Sequence, residues 1–228
     1  MVPAHSDALK NEVYKLRYQV YCIETGFEKP ELYPDGIEFD EYDSHSFHYL
    51  ILHRKSQTYA ATTRLILPDT SNHEGLFPIE KYTQIDNIEL IENIPRENLA
   101  EASRFCVSKD FKRRKNEAGT LTGIESNWID IFTEKERRIF PHITIGLLAC
   151  LIKTSSENNI HYWYAVMEPS LARFFLSLGI YFVPIGPLAN YHGKRRPYII
   201  KMSDLLDGVA KKDMDYWNMM SNMGQYTG

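Results

Sequence analysis

The chain has 228 residues, 43% of them hydrophobic and 25% charged, with a formal net charge of -4. This balance excludes disordered and fibrous classes and supplies enough apolar surface for a large core. The acidic total and the lack of any recognisable nucleic-acid module give no case for nucleic acid as a partner.

In chain order, residues 11–24 place Val13, Leu16, Val20 and Ile23 at spacings of three and four, which predicts an amphipathic helix. Arg17 lies four residues before Tyr21, so the two share a face. Residues 25–46, rich in Pro, Gly and acid, read as a loop placed to order over a site. Residues 47–54 and 60–67 read as strands joined by a short hairpin connection, and Pro68 ends the second. Residues 69–98 form a polar excursion with short helices around Pro78 and Pro95, and 99–108 a third strand. The highly charged 109–139 reads as an exposed loop and the start of a helix. Residues 143–157 are apolar over most of a helical circumference, which predicts a buried helix. A fourth strand follows at 161–167, then a short helix at 169–178 ended by Gly179. Residues 181–186 and 196–202 read as strands, and 203–228 as helical at first and then frayed. The order predicts an α/β (α+β) fold, one domain over 1–228 with one central sheet.

Cys22, Cys106 and Cys150 sit among apolar residues with no metal-ligand spacing, so reduced, buried thiols in a cytoplasmic protein are expected. Residues 1–10 carry no apolar run, and the longest apolar stretch, 143–152, is too short to span a bilayer; no transmembrane segment is expected. His45 and His48 flank the acidic loop without completing a ligand set with Asp43, so no metal site is expected.

Three segments concentrate ionisable groups in apolar surroundings. They are Glu38-Phe39-Asp40-Glu41-Tyr42-Asp43, the strand containing Arg64, and Glu101-Ala102-Ser103-Arg104-Phe105. A charge inside an apolar strand needs a partner, because an isolated buried charge is very costly. Arg17, Arg64 and Arg104 against Asp40, Asp43 and Glu101 sum to zero, as one paired network would. From the residues alone, that network reads either as a structural cluster of ion pairs or as a functional one. In a regular strand Glu101 and Arg104 point to opposite faces. A shared site would require a bulge nearby; otherwise Glu101 and Ser103 line it and Arg104 packs behind. Ser103 lacks both a nucleophile-elbow turn and an obvious partner histidine, which argues against covalent serine catalysis.

Four motifs then occur in order: Leu16-Arg17-Tyr18-Gln19-Val20-Tyr21, Glu38-x-Asp40-x-Tyr42-Asp43, Arg64-Leu65-Ile66-Leu67-Pro68 and Glu101-x-Ser103-Arg104-Phe105. Together they resemble the motif set of the acyl-homoserine-lactone (autoinducer) synthases and the related long-chain N-acyl amino acid synthases. The run from Arg17 through Cys22-Ile23-Glu24-Thr25-Gly26 to Phe27 is most similar to acyltransferases associated with the PEP-CTERM/exosortase system. The resemblance implies a GNAT-like fold, an acyl donor on acyl carrier protein (or acyl-CoA), no tightly bound cofactor and a small-molecule amine acceptor. That acceptor is an amino acid in the synthases of that name and S-adenosylmethionine in the lactone synthases. It also implies that Arg17, Tyr21, Phe27, Asp40, Asp43, Arg64, Phe77, Glu101 and Arg104 fall on functional positions. Tyr21 and Phe27 depart from the phenylalanine and tryptophan usual in the lactone synthases, which counts against the lactone-synthase assignment more than against the fold.

The chemistry assigns roles. An amine attacks a thioester only when neutral, and a nearby carboxylate can take its proton, which makes Glu101 the candidate base. Arg64 and Arg104 would orient the acidic residues or bind an acceptor carboxylate through two parallel hydrogen bonds. The Arg/Gln-x-x-Gly-x-Gly/Ala phosphate loop of acetyl-CoA-dependent relatives is not found after residue 108, which agrees with a carrier-protein donor. Lys109, Lys112, Arg113, Arg114 and Lys115 form a basic run suited to docking an acidic carrier protein, and Lys194-Arg195-Arg196 forms a second cluster; solvated loops are the other reading of both. A non-catalytic acyl- or carrier-binding module on the same scaffold is the alternative of another class.

Overall fold

A computed structural model describes residues 1–70, 72, 75–111, 140–190 and 193–226. The strands form one open mixed sheet in the order β1-β2-β3-β4-β5-β8-β6, with β7 paired to β8. By compactness the chain divides into two units: Met1–Arg64 with Arg104–Cys150, and Leu65–Ser103 with Leu151–Gly228. Strands β3 (Thr58–Ile66) and β4 (Leu99–Val107) each contribute residues to both.

In the first unit, β1 (Val2–Pro3) pairs antiparallel with β2 (Ser46–His53). Between them runs helix α1 (Asp7–Tyr18), which starts four residues before the expected helix because Ser6 Oγ accepts the Leu9 N–H at 3.3 Å. Asp7 in its first turn and Lys15 and Arg17 in its last match the helix dipole. The helix continues as a π-helix over Gln19–Glu24, with the Thr25 N–H reaching the Val20 carbonyl five residues back. That wider turn shifts the phase of the apolar face. Val20, Tyr21 and Cys22 are buried, whereas Ile23, expected on the same face, is 57% exposed. Val13, Leu16, Val20, Tyr21, Leu50 and Cys106 form one core, with Phe27 packed against it.

In the second unit, β4 runs parallel to β5 (Tyr162–Met167), pairing Leu99 with Tyr162 and Glu101 with Tyr164. Strand β5 pairs antiparallel with β8 (Lys194–Lys201), and β8 with both β6 (Val183–Pro184) and β7 (Ala189–Asn190). The strand expected at 181–186 shrinks to two residues, since Pro184 has no N–H to continue a ladder. Helix α2 (Pro78–Tyr82) lies in the polar excursion, and α4 (Pro169–Ser177) follows β5. Gly179 ends α4 at φ +88, and a Cβ there would stand 2.3 Å from the carbonyl oxygen of Gly208 in α5 (Met202–Lys212). The tail is more ordered than the sequence predicts. The Asp213 carboxylate accepts the N–H groups of Asp215 and Tyr216 and starts a further helix, α6 (Met214–Ser221).

Helix α3 (Phe140–Glu157) has residues in both units, and Ile145, Leu147, Leu148, Leu151 and Ile152 are buried, as its apolar circumference requires. Cys22, Cys106 and Cys150 are buried. Among the described residues no helix is long and apolar enough to cross a membrane.

Candidate active site

The first unit holds a buried network of charges. Asp40 starts the short 3-10 turn Glu41–His45 by accepting the Tyr42 N–H at 3.0 Å, and Asp43 reaches back to the Asp40 N–H at 2.8 Å. This reciprocal cap presents both carboxylates to the arginines. Asp43 Oδ1 accepts from Arg17 and from Arg64, each at 2.7 Å, and Asp40 pairs with Arg64 and Arg104. Glu38, fully buried, bonds the Arg17 Nε–H and accepts the Arg104 Nη2–H at 2.9 Å. Thus Arg17, Arg64 and Arg104 are balanced by Glu38, Asp40 and Asp43, with Glu28 4.0 Å from Arg104.

The electrostatics follow from this packing. Burial pushes Glu38 toward the neutral acid, but Arg104 and then Arg17 outweigh it and hold its carboxyl down to about 2. Burial likewise opposes the charge on Asp43, and Arg17 and Arg64 hold it well below the usual carboxylate range. His48 behaves oppositely. Burial prevails over the attraction of Asp43, 3.6 Å away, and depresses the imidazole to about 4. Among the described residues neither of its ring nitrogens has a hydrogen-bond partner, and no group of three or more His, Cys, Asp or Glu could hold a metal ion. A cavity of about 680 Å³ in this unit is lined by Gln19, His53, Tyr59 and Phe111 among others, and the three paired arginines do not line it.

The second unit holds the other cluster. Glu101 on β4 is 3% exposed, and its Oε2 accepts the Ile79 N–H at 2.8 Å. That N–H belongs to the first turn of α2, where backbone donors have no partner within the helix. The preceding turn is fixed as well: the Phe77 N–H donates to Glu80 Oε2 at 2.8 Å, and Arg96 Nη1 donates to Glu80 Oε1 at 2.6 Å. The Arg96 guanidinium lies 4.0 Å from the Phe77 ring centroid, and Phe77 in turn stands edge-on to Tyr164 at 6.1 Å. Tyr164 is pushed above its usual ionisation range, first by burial and then by Glu80.

The residues singled out from the sequence therefore fall into two sets. Arg17, Asp40, Asp43, Arg64 and Arg104 come together in the first unit, with Tyr21 under the Arg104 guanidinium at 5.1 Å and Phe27 against the adjoining core. Glu101 and Phe77 lie in the second. Glu38, which the charge count left out, joins Asp40 and Asp43 against the arginines. Glu38 stands in the same acidic run, two residues before Asp40, and that alternation was the available signal. Arg104 takes φ +50, a left-handed conformation inside β4, so the regular alternation of side chains stops there. Ser103 beside it is half-buried. Lys109 is exposed, and its backbone N–H is held by Glu24 Oε2 at 2.9 Å; Lys112, Arg113, Arg114 and Lys115 lie outside the described residues. Of the second basic cluster Lys194 is exposed but Arg195 is buried, so Lys194-Arg195-Arg196 is not a solvated patch. Sequence reasoning also missed Glu80, Arg96 and Tyr164.

The family described as "Acetyltransferase (GNAT) domain" matches residues 16–121. The fold is that of a GNAT domain. Solved structures agree at low identity. The AHL synthase LasI shares 18% identity over 90% of each chain at a TM-score of 0.55. BjaI with MTA, a CoA-dependent acyl-homoserine lactone synthase, shares 17% over 97% of this chain and 86% of its own, at 0.58. FeeM, an N-acyl amino acid synthase from uncultured soil microbes, shares 13% over 93% and 96%, at 0.57. No curated protein matches the chain.

Proposed function

We propose that this chain is an amide-forming acyltransferase that moves a medium or long fatty acyl group from acyl carrier protein to the amine of an amino acid or related small molecule. The observation that carries the reading is Glu101, a carboxylate 3% exposed on a strand of a GNAT sheet, with Ile79, Phe77 and Tyr164 around it. Burial of a carboxylate away from bulk water is what a base for an incoming ammonium needs. Glu101 takes one proton from the acceptor ammonium and releases it to solvent; the neutral nitrogen attacks the thioester carbonyl, and as the C–S bond breaks the nitrogen gives up a second proton, which goes to the carrier thiolate to form the thiol. The Arg17, Arg64 and Arg104 network orders the loop bearing Asp40 and Asp43 rather than performing chemistry, since its charges are spent on one another. The run Arg17 to Phe27 supports a place beside the PEP-CTERM/exosortase-associated acyltransferases. The basic run from Lys109 to Lys115 supports a carrier-protein donor, and the aromatic pair Tyr21 and Phe27 supports an amino acid acceptor.

The test is to incubate the purified protein with medium- and long-chain acyl carrier protein and, separately, a panel of amino acids and S-adenosylmethionine, reading products by mass. An N-acyl amino acid is the expected product. An acyl-homoserine lactone would move the acceptor to S-adenosylmethionine, and no acylated product with any acceptor would refute the enzyme reading.

A further inference from the structure

The cavity of about 680 Å³ in the first unit has no role in the acyl transfer proposed for Glu101. Its volume lies within the range of small-molecule sites, about 300–1,000 Å³. Helix α1 with the π-turn forms one wall, the β2–β3 hairpin a second, and the residues after β4 a third. The hydrogen-bond donors around it are largely engaged with the protein itself. Lys15 donates to Glu12 at 2.7 Å. The Gln19 amide donates to Glu24 at 2.8 Å and to Ser108 at 3.2 Å. His53 Nδ1, Ser56 Oγ and Thr58 Oγ1 bond in a chain at 2.7 and 2.6 Å, which fixes the hairpin wall.

The acceptors are less engaged. Among the described residues the exposed Asp110 carboxylate has no hydrogen-bond or ion-pair partner. Two carboxylates of the lining, Glu12 and Asp110, stand against one lysine ammonium, and that ammonium is tied to Glu12. The apolar part of the lining is Leu16 with the rings of Tyr59 and Phe111, and Phe111 meets His53 edge-on at 5.1 Å. The lining therefore offers an unspent anion and aromatic faces, and lacks a free cation.

We propose that this cavity binds an organic ammonium ion, a protonated primary amine on an aliphatic body, whether or not the chain transfers acyl groups. The ammonium brings N–H donors and the charge that Asp110 lacks a partner for. Aromatic rings attract a cation, and the aliphatic body covers Leu16, Tyr59 and Phe111. A neutral alcohol of the same length would gain only the apolar contact. A carboxylate would be repelled by Asp110 and would have to compete with Glu12 for Lys15.

The experiment is calorimetric titration of the full chain, at low salt, with hexylammonium chloride, 1-hexanol and sodium hexanoate. Hexylammonium is expected to bind saturably and tightest of the three, with an affinity that falls as salt is added. Asp110→Asn should weaken it by about threefold or more, and Phe111→Leu by about two- to fivefold. Asp204→Asn, an exposed acid on α5 outside the lining, should leave it unchanged. No saturable binding of hexylammonium would overturn the proposal, as would hexanol or hexanoate binding as tightly. Equal losses in Asp110→Asn and Asp204→Asn would mean general attraction to an acidic surface and would overturn it too, as would an unchanged affinity in Asp110→Asn. The ranking of the three probes on the wild-type chain decides the matter even if a variant fails to fold.

Discussion

Replacing Glu38 by glutamine removes one negative charge from the interior while leaving the shape nearly unchanged. Arg17, with no exposed side-chain surface, and Arg104, 10% exposed, would keep their charges and lose a shared counter-ion. The folded state holds this carboxyl at about 2 against an ordinary 4.5. That difference corresponds to about 3 kcal/mol of stability, in line with the cost of breaking a buried ion pair from one side. Because the folded carboxyl titrates below the unfolded one, the contribution is whole above about pH 4.5 and is lost as pH falls toward 2; at pH 3 about half remains. Urea unfolding of wild type and Glu38→Gln at pH 7 should therefore differ by about 3 kcal/mol, and the gap should narrow to about half at pH 3. A gap below about 1 kcal/mol at pH 7, or one that does not narrow in acid, would refute the claim that Glu38 closes the arginine network.

Three further outcomes follow from the same geometry. His48, depressed to about 4 from an ordinary 6.5, takes up its proton later in the folded state than in the unfolded one, so its contribution is whole above pH 6.5 and is lost as pH falls toward 4. His48→Leu should flatten the stability curve in that window, and an unchanged slope between pH 6.5 and 4 would contradict it. Gly208→Ala would place a Cβ 2.0 Å from the Gly179 carbonyl oxygen and should cost about 1–3 kcal/mol, read as a lower melting temperature; an unshifted one would mean that α4 and α5 can separate without loss. Reversing Arg113 and Arg114 to glutamate should raise the donor KM and weaken its salt dependence, and unchanged values would remove that run as the docking site.

Most of the sheet was legible because its strands are short apolar runs bounded by polar, Gly- or Pro-containing segments. Strands β2, β3, β4 and β5 lie where the apolar runs place them, to within a residue or two. The failures share a cause: each depends on a local hydrogen bond that periodicity does not register. The π-turn at Val20 and Thr25 carries Ile23 out of the core. The Asp213 cap turns a frayed tail into α6. At the site, spacing identified the arginines and Asp40 and Asp43, because charges in apolar runs must be paired. It left Glu38 out of the charge count, although Glu38 opens the same acidic run and pairs with both Arg17 and Arg104. Tyr164 was hidden for a different reason. As a tyrosine in an apolar strand it looks like core, and only its pairing with Glu101 distinguishes it.

The central claim is that Glu101 accepts the acceptor's proton. Glu101→Gln keeps an oxygen to receive the Ile79 N–H but is not a base. With acyl carrier protein and the productive acceptor, the account predicts a kcat lower by about 10²–10⁴-fold, with the melting temperature close to that of the wild-type chain. Turnover equal to wild type in a folded Glu101→Gln chain would contradict it.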